Sequence, residues 1–537
     1  MHTNGYRRLV IRSVTDSWQL PLPAAQSGHL LLSDRFPQAD AQLSRYRDYL
    51  GHEFDQVTID CREQLHVDAI AALSGTVVAG GQLQLLTGST ESPMLRRLRS
   101  NWAEPTAPAP PLPRLPTPEQ QQLSQHLRDT KTTHLLLADR GRGKSHTLGQ
   151  AVARQLQQHP QQRLLVTAPR KANAKVLLQS APAAQFVAWD KLLAEQKGDA
   201  LLVIDEAAGI PLWATQRLCQ LYRPWLLATT INGYEGCGKG FAVHFTDWAQ
   251  QQFAAVRFHR LDTPIRWPAG DPLEHWLEQA LLLTPAPPTL THITSRQTVH
   301  ASSLPDDALH QAFELLLQAH YQSSPNDLAL LLNDPHQFLT LEYQDNRVVG
   351  VTWSALEGPL PEPIRDAIVT GKRRPKGNLL PQAIGYFLQQ RWALSHKWCR
   401  VVRIAVADAY RRQGIASQLL QRVKQWATQQ QCQFIGTSFG FSQALGAFWQ
   451  YNDFHAVRTS TALDRVSARH QHIMACCLHE PVEQWSALLE YGAAERDWVL
   501  HKRLQPLTDN TVVAAIEQGF RQGYLPRASA EFALNVR

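Results

Sequence analysis

Apolar and polar positions alternate differently in successive parts of the chain. Apolar runs at 29–32, 57–59 and 76–86 are separated by amphipathic stretches, which predicts a small N-terminal α/β domain over 1–103. Short apolar runs at 134–138, 163–168, 201–204 and 225–229 alternate with helical segments. That alternation predicts a parallel sheet covered by helices on both faces, over 119–285. After a helix-rich stretch, strands are expected at 338–343, 348–354 and 400–406, then a helix from Gly414, then strands at 434–437 and 473–478. This is the order of a mixed α+β domain over 290–480. From Glu480 the pattern turns helical, with Trp485, Leu488, Leu489 and Trp498 as apolar anchors, and 481–537 is expected to be a helical segment.

Prolines punctuate this order. The stretch AEPTAPAPPLPRLPTP carries seven of them, so 104–118 is expected to be an extended linker that holds neither a helix nor an inner strand. TPAPPT at 284–289 closes the next segment by the same logic. The fold class is therefore multidomain α/β, and a length of 537 residues suits roughly three or four domains.

Composition narrows the setting. With 44% hydrophobic and 18% charged residues the chain can bury enough apolar surface to fold, which excludes wholesale disorder. Residues 1–20 lack the pattern of a secretory signal, and no stretch has membrane-spanning length. The seven cysteines, Cys237 among them, form no Cys-x-x-Cys pair, so reduced thiols in a cytoplasmic protein are expected rather than zinc or disulfides. A net charge of +7 favours a polyanionic partner. No membrane association and no obligate protein partner are expected.

The run LLLA ending at Ala138 enters DRGRGKSHT, so Gly141, Arg142, Gly143, Lys144, Ser145 and His146 stand where a phosphate-binding loop turns into its helix. Lys144 would reach the β- and γ-phosphates and the Ser145 hydroxyl would bind Mg²⁺. Ala138 replaces the usual first glycine. The run LLVI then ends at Asp205-Glu206, read as the acidic partner motif on a neighbouring strand, with Asp205 on Mg²⁺ and Glu206 orienting the attacking water. Each motif alone also fits a Gly-rich turn or a solvated acidic pair; in this order they predict an ATPase. Arg266 in TPIRW is either a γ-phosphate ligand or a surface arginine. Residues 115–283 hold one such core and not two, so ATP is expected to drive a local RNA rearrangement rather than processive unwinding.

The second constellation is RVVRIAVADAYRRQGIASQLL at 400–420. A strand leads into Arg411, Arg412, Gln413, Gly414, Ile415, Ala416 and Ser417, which open an amphipathic helix. This resembles the pyrophosphate loop of the GNAT superfamily of acetyltransferases. The resemblance implies that loop N–H groups and the helix N-terminus receive the phosphates of acetyl-CoA. It also implies that the backbone of Ile404, Ala405 and Val406 holds the pantetheine and acetyl carbonyl. Where a late-helix tyrosine of that superfamily protonates the thiolate, this chain has Trp449. Tyr451 is then either a substitute acid or a packing residue.

The two motifs in this order resemble the RNA cytidine acetyltransferase family. The stretches that carry the likeness are RGRGKS from Arg140, IDEAAGIPL from Ile204, TTINGYEGCGKGF from Thr229, PIRWPAGDPLEHWL from Pro264, HYQSSPNDLALLL from His320, RRPKGNLLPQ from Arg373, RIAVADAYRRQGIA from Arg403 and SFGFSQALGAFW from Ser438. The resemblance implies a RecA-like, helicase-like ATPase over 119–285, a GNAT domain over 290–480 and a tRNA-binding helical segment over 481–537. It implies acetyl transfer from acetyl-CoA to N4 of the wobble cytidine of elongator tRNA(Met), coupled to hydrolysis of ATP or GTP with Mg²⁺. Gln120 would contact the nucleotide. Ala444 and Tyr451 depart from the acidic and basic residues the family pattern calls for. The basic loop of Lys372, Arg373, Arg374 and Lys376 reads as an RNA-phosphate contact or as solvated charge. Two other functions fit the motifs: an ATPase-regulated protein lysine acetyltransferase, and a non-enzymatic RNA or ribosome-assembly scaffold.

Overall fold

The computed structural model describes residues 5–15, 28–127, 132–195, 200–231, 238–292, 296–319, 324–507 and 509–536. Cys237, the centre of TTINGYEGCGKGF and the start of HYQSSPNDLALLL lie outside the described residues. The chain divides into two compact units: one holds residues 1–286 and the segment carrying helix Pro325–Asn333, the other the remaining residues from 287 onward. That helix departs from the 290–480 domain expected for it. Reciprocal bonds anchor it in the first unit: Asn326 and Asp68 exchange backbone N–H and side-chain oxygen at 3.2 and 2.9 Å, and Asn333 accepts the Met94 N–H at 2.9 Å.

The first unit begins with β1 (Arg8–Ser13), β2 (His29–Leu32), β3 (Phe54–Asp60), α1 (Val67–Ser74), β4 (Val77–Thr87) and α2 (Pro93–Ser100). Its parallel sheet runs β1-β4-β3-β2. β1 escaped the sequence reading because RLVIRS is an edge strand, half exposed and broken by two arginines. The phosphate-loop domain follows: α3 (Pro118–His126), β5 (Thr133–Ala138), α4 (Lys144–Gln158), β6 (Leu164–Thr167), α5 (Lys175–Ser180), β7 (Gln185–Phe186), α6 (Trp189–Glu195), β8 (Leu201–Ile204), α7 (Leu212–Leu221), β9 (Trp225–Thr230), α8 (Gly238–Gln252), β10 (Val256–Leu261) and α9 (Pro272–Ala280). The expected linker ends one residue early, since Pro118 opens α3 behind a Thr117 cap.

This second sheet is all parallel, in the order β10-β5-β9-β8-β6-β7. Successive residues of β5 enter different cores: Leu135 belongs to the one that holds Leu202, Leu218 and Phe245, and Leu136 to the one that holds Leu148, Val152 and Leu177. Burial on both faces is why these strands read as continuous apolar runs. One expectation is corrected. The strand ending at Asp205 is not the neighbour of β5, because β9 lies between β5 and β8.

The second unit contains β11 (Val299–His300), α10 (Asp306–Ala319), β12 (Gln337–Gln344), β13 (Arg347–Glu357), α12 (Glu362–Val369), α13 (Leu379–Phe387), β14 (Trp398–Val406), α14 (Ile415–Gln429), β15 (Phe434–Gly440), α15 (Gln443–Tyr451), β16 (His455–Leu463), β17 (His470–Cys477), α16 (Trp485–His501), α17 (Thr511–Arg521) and α18 (Arg527–Asn535); the displaced Pro325–Asn333 is α11. The sheet order is β11-β12-β13-β14-β15-β17-β16, antiparallel except for the parallel pair β14–β15. The helical 481–537 segment is not a separate layer. Leu488, Tyr491, Ile516 and Phe532 share one core with Trp398, Val457 and Ile473, and Phe434 stacks between Trp398 and Trp485 at 4.4 and 4.8 Å.

α16 lies so close to β16 that a Cβ on Gly492 would stand 2.3 Å from the Ala456 carbonyl oxygen. Gly492→Ala is therefore expected to destabilise the protein by about 1–3 kcal/mol through overpacking, read as a lower urea midpoint at unchanged slope. Helix propensity alone would shift stability the other way by about 1 kcal/mol, so the sign decides.

Candidate functional site

The loop from β5 to α4 is shaped by two glycines. Gly141 and Gly143 have φ of 72° and 80°, in the left-handed region that side chains disfavour. A Cβ on Gly141 would strike the Trp267 ring at 2.8 Å, and one on Gly143 would meet the Gln120 amide at 2.4 Å. Gly143 caps α4, whose first N–H groups open at the C-terminal edge of a parallel sheet, a place suited to an anion. Lys144 is buried, and its Nζ donates to the carbonyls of Ala138 and Asp139 at 3.3 and 3.2 Å.

Other residues assigned to the nucleotide brace the loop in this structure. The Arg142 guanidinium is 2.7 Å from Glu274 and donates to the carbonyls of Arg140 and Asp262. The Gln120 amide accepts the Thr117 N–H and donates to the Arg142 carbonyl, so both its ends are engaged. Exposed His146 bridges Gln150 and Ser180 at 2.9 and 3.3 Å.

The acidic pair sits at the end of β8. Asp205 is fully buried; its Oδ1 accepts the Glu206 N–H at 3.0 Å, and its Oδ2 has no hydrogen-bond partner among the described residues. Burial, then the neighbouring Glu206 charge, pushes the Asp205 carboxyl up to about 7, with Ser145 and Lys144 opposing. An orphaned carboxylate oxygen with the Ser145 hydroxyl acting on the same group fits a divalent cation. Glu206, at φ 50°, accepts a bond from Thr230 at 3.1 Å. Burial raises its carboxyl too, but Lys144, Arg140, Thr230 and Arg266 outweigh it and hold it below the usual range. Arg266 lies 3.4 Å from Glu53 and donates to the Gly75 carbonyl at 3.3 Å, so it is a partly buried member of this cluster rather than a surface arginine.

In the other unit, β14 pairs with β15 only from Trp398–Phe434 to Val401–Thr437. Beyond that point β14 continues against β13 and β15 against β17, so the two strands part. A register shift opposite Trp353 and Ser354 leaves Val402 as an extra residue where the parting begins. Among the described residues, the β15-facing backbone edge of residues 403–406, the stretch of Ile404, Ala405 and Val406, has no ladder partner, and the Val406 carbonyl accepts the Arg411 Nε–H at 3.2 Å. The chain then turns through Arg412 (φ 60°) and Gly414 (φ 81°), and Gly414 caps α14. A Cβ on Gly414 would find no atom nearer than Gln418 Nε2 at 4.0 Å, so the space before this helix end is open. Arg411 is exposed and ion-paired with Asp408 at 2.6 Å, and Gln413 donates to the Ala409 carbonyl at 3.1 Å. Ile415 packs on Val349 and Leu419, leaving its N–H and those of partly exposed Ala416 and Ser417 toward the turn.

Tyr451 is not brought into this arrangement. It ends α15 with 81% exposure, so nothing holds its phenol against β14, and the acid role proposed for it finds no support. Trp449 is buried among Phe439, Phe448 and Phe454 as a core residue. Lys372, Arg373, Arg374 and Lys376 form an exposed loop, with Arg374 over the rings of Tyr386 and Phe387 at 4.8 and 5.4 Å. Thr230 and Arg140 were not assigned roles from the sequence. The signal for Thr230 was available, since a polar pair closes the apolar strand WLLATT.

Three family models match the chain: tRNA(Met) cytidine acetyltransferase TmcA, N-terminal, over 1–101; RNA cytidine acetyltransferase NAT10/TcmA, helicase domain, over 135–284; and GNAT acetyltransferase 2 over 311–433. The tRNA(Met) cytidine acetyltransferase TmcA of Idiomarina loihiensis is 46% identical, across 99% of this chain and 91% of that protein. The proteins of the same name from Vibrio cholerae and Pectobacterium atrosepticum are 34% and 31% identical, over 80% and 94% of this chain and 66% and 80% of theirs.

The Asp205 environment sets a pH dependence. Folded Asp205 keeps its proton to about 7, whereas the unfolded chain releases it near 3.8. In that window the folded state binds more protons, so this group's contribution to stability falls as pH rises. Asp205→Asn is expected to raise the melting temperature of the nucleotide-free protein, by more at pH 8 than at pH 5, in parallel thermal scans.

Proposed function

The chain belongs to the tRNA(Met) cytidine acetyltransferase family, and from that premise we propose that it transfers the acetyl group of acetyl-CoA to N4 of a cytidine in tRNA, coupled to hydrolysis of ATP or GTP. The wobble cytidine of elongator tRNA(Met) is the proposed acceptor and the cytoplasm the proposed place of action. Among the described residues, no helix is long and apolar enough to cross a membrane. The observation that carries the reading is the parting of β14 from β15 immediately ahead of the Gly414 turn.

Acetyl-CoA, when bound, supplies an activated acyl carbon. The chain's part is to align it: the open edge of residues 403–406 offers peptide groups to the pantetheine arm, and N–H groups of Gly414, Ile415 and Ala416 face its phosphates. A peptide N–H at that edge would stabilise negative charge developing on the acyl oxygen. The exocyclic amine of cytosine is a weak nucleophile, so holding it in line supplies much of the acceleration. The acceptor base must leave its stack, and Arg373, Arg374, Lys372 and Lys376 would hold the neighbouring phosphates while it does.

A divalent cation such as Mg²⁺, when bound, neutralises phosphate charge. Asp205 and Ser145 would hold it, Lys144 would bind the β- and γ-phosphates, Glu206 would orient water, and Arg266 would face the terminal phosphate. Hydrolysis is the proposed source of the RNA rearrangement that presents the base.

Nucleoside mass spectrometry of tRNA incubated with the protein, acetyl-CoA and Mg²⁺-ATP is expected to find N4-acetylcytidine, and to lose it in Gly414→Glu. Labelled acetyl groups entering protein and not tRNA would instead favour the lysine acetyltransferase. Lys144→Ala is expected to lower nucleotide hydrolysis by about 10²-fold or more, in a phosphate-release assay. Unchanged hydrolysis would remove Lys144 from the site.

A further inference from the structure

The last turn of α1 ends in an unusual set of partners. A helix leaves its final carbonyls without intrahelical donors, and those carbonyls form the negative end of its dipole. Here the Ala72 carbonyl accepts Arg140 at 3.0 Å, Ser74 accepts Arg7 at 2.7 Å and Gly75 accepts Arg266 at 3.3 Å, while Leu73 accepts Thr76. Three guanidiniums from three distant parts of the sequence thus converge on one helix end. Arg7 and Arg140 line a small polar cavity there with Asp139, Trp267 and Glu278.

Each guanidinium is aimed by more than the helix. Arg7 is fully buried, lies 3.6 Å above the Trp267 ring and binds Asp271 through Nε and Nη2 at 3.0 and 2.8 Å. Trp267 in turn covers Gly141 of the phosphate loop. Arg266 is held from its other side by Glu53, at the start of β3. Arg140 passes so close to Gly75 that a Cβ there would stand 3.0 Å from its Cδ. Arg140 and Arg266 both act on Glu206, the residue next to the terminal phosphate in the reading above.

We propose that the N-terminal α/β domain positions the part of the nucleotide site that recognises the terminal phosphate: the C-terminus of α1, with Glu53, fixes Arg140 and Arg266 within electrostatic reach of Glu206. The phosphate loop grips the β-phosphate by itself, through Lys144 and its own N–H groups. The extra phosphate of a triphosphate is read by two arginines whose places are set from the other domain. Residues Ala72, Ser74, Gly75 and Glu53 are positioning residues here and touch no substrate. The proposal rests on the nucleotide reading of Lys144 and Asp205.

Gly75 offers a clean test, because its φ of −75° and ψ of −4° suit any residue, so a side chain there displaces Arg140 without straining the backbone. Affinities for ADP and for a non-hydrolysable ATP analogue, both with Mg²⁺, would be measured by calorimetry on the full-length protein. Gly75→Val is expected to weaken the analogue by about tenfold relative to ADP, the worth of one charge-assisted hydrogen bond. Glu53→Gln, on a half-exposed side chain, should shift the same ratio more weakly and carries the test if Gly75→Val fails to fold. An unchanged ratio in folded variants, or equal loss of both nucleotides, would overturn the proposal. Wild-type protein that binds neither nucleotide would instead remove the reading beneath it.

Discussion

A helix or strand that stops leaves peptide groups without partners, and this chain places such ends where it needs fixed partial charge. The N-terminus of α4 behind Gly143 and that of α14 behind Gly414 present N–H groups; the C-terminus of α1 presents carbonyls to guanidiniums. Between β14 and β15 the same principle works sideways, because a strand that loses its neighbour exposes an edge within the sheet. Side chains then refine these sites but do not create them. Arg142 and Gln120, conspicuous in the sequence near the phosphate loop, spend their hydrogen bonds on holding that loop in shape.

The acidic pair shows how one strand end separates two carboxylates. Asp205 lies in the sheet's interior, where burial dominates and keeps its proton on. Glu206, one residue further and turned into the left-handed region, emerges among Lys144, Arg140 and Arg266, which keep it ionised. Adjacent groups with opposed proton affinities suit the two roles proposed for them, a cation ligand and a water-orienting base.

The buried elements were legible because burial leaves a periodic trace: β5, β6, β8 and β9 are short apolar runs, and the Gly-rich turns follow strands at both sites. Edge strands were not. RLVIRS and VRFHRL face solvent over much of their length, so their polar residues mask the alternation. β16 was hidden for a related reason, with polar and apolar residues mixed along HAVRTSTAL. The intervening β9 follows from strand order, which no local pattern encodes. Tyr451 shows the limit of position: two places along the last turn of α15 separate Trp449, which enters the core, from Tyr451, which points away from it.

The crossing of α11 into the first unit bears on how the protein is made. α1, the helix that gathers the three arginines, takes a reciprocal pair of bonds from Asn326, and α2 takes one from Asn333. A ribosome that has finished the phosphate-loop sheet at Leu261 has therefore not yet delivered the helix that closes the unit. The nascent nucleotide site waits, partly supported, until translation has passed Asn333, by which time α10 of the other unit has already been synthesised.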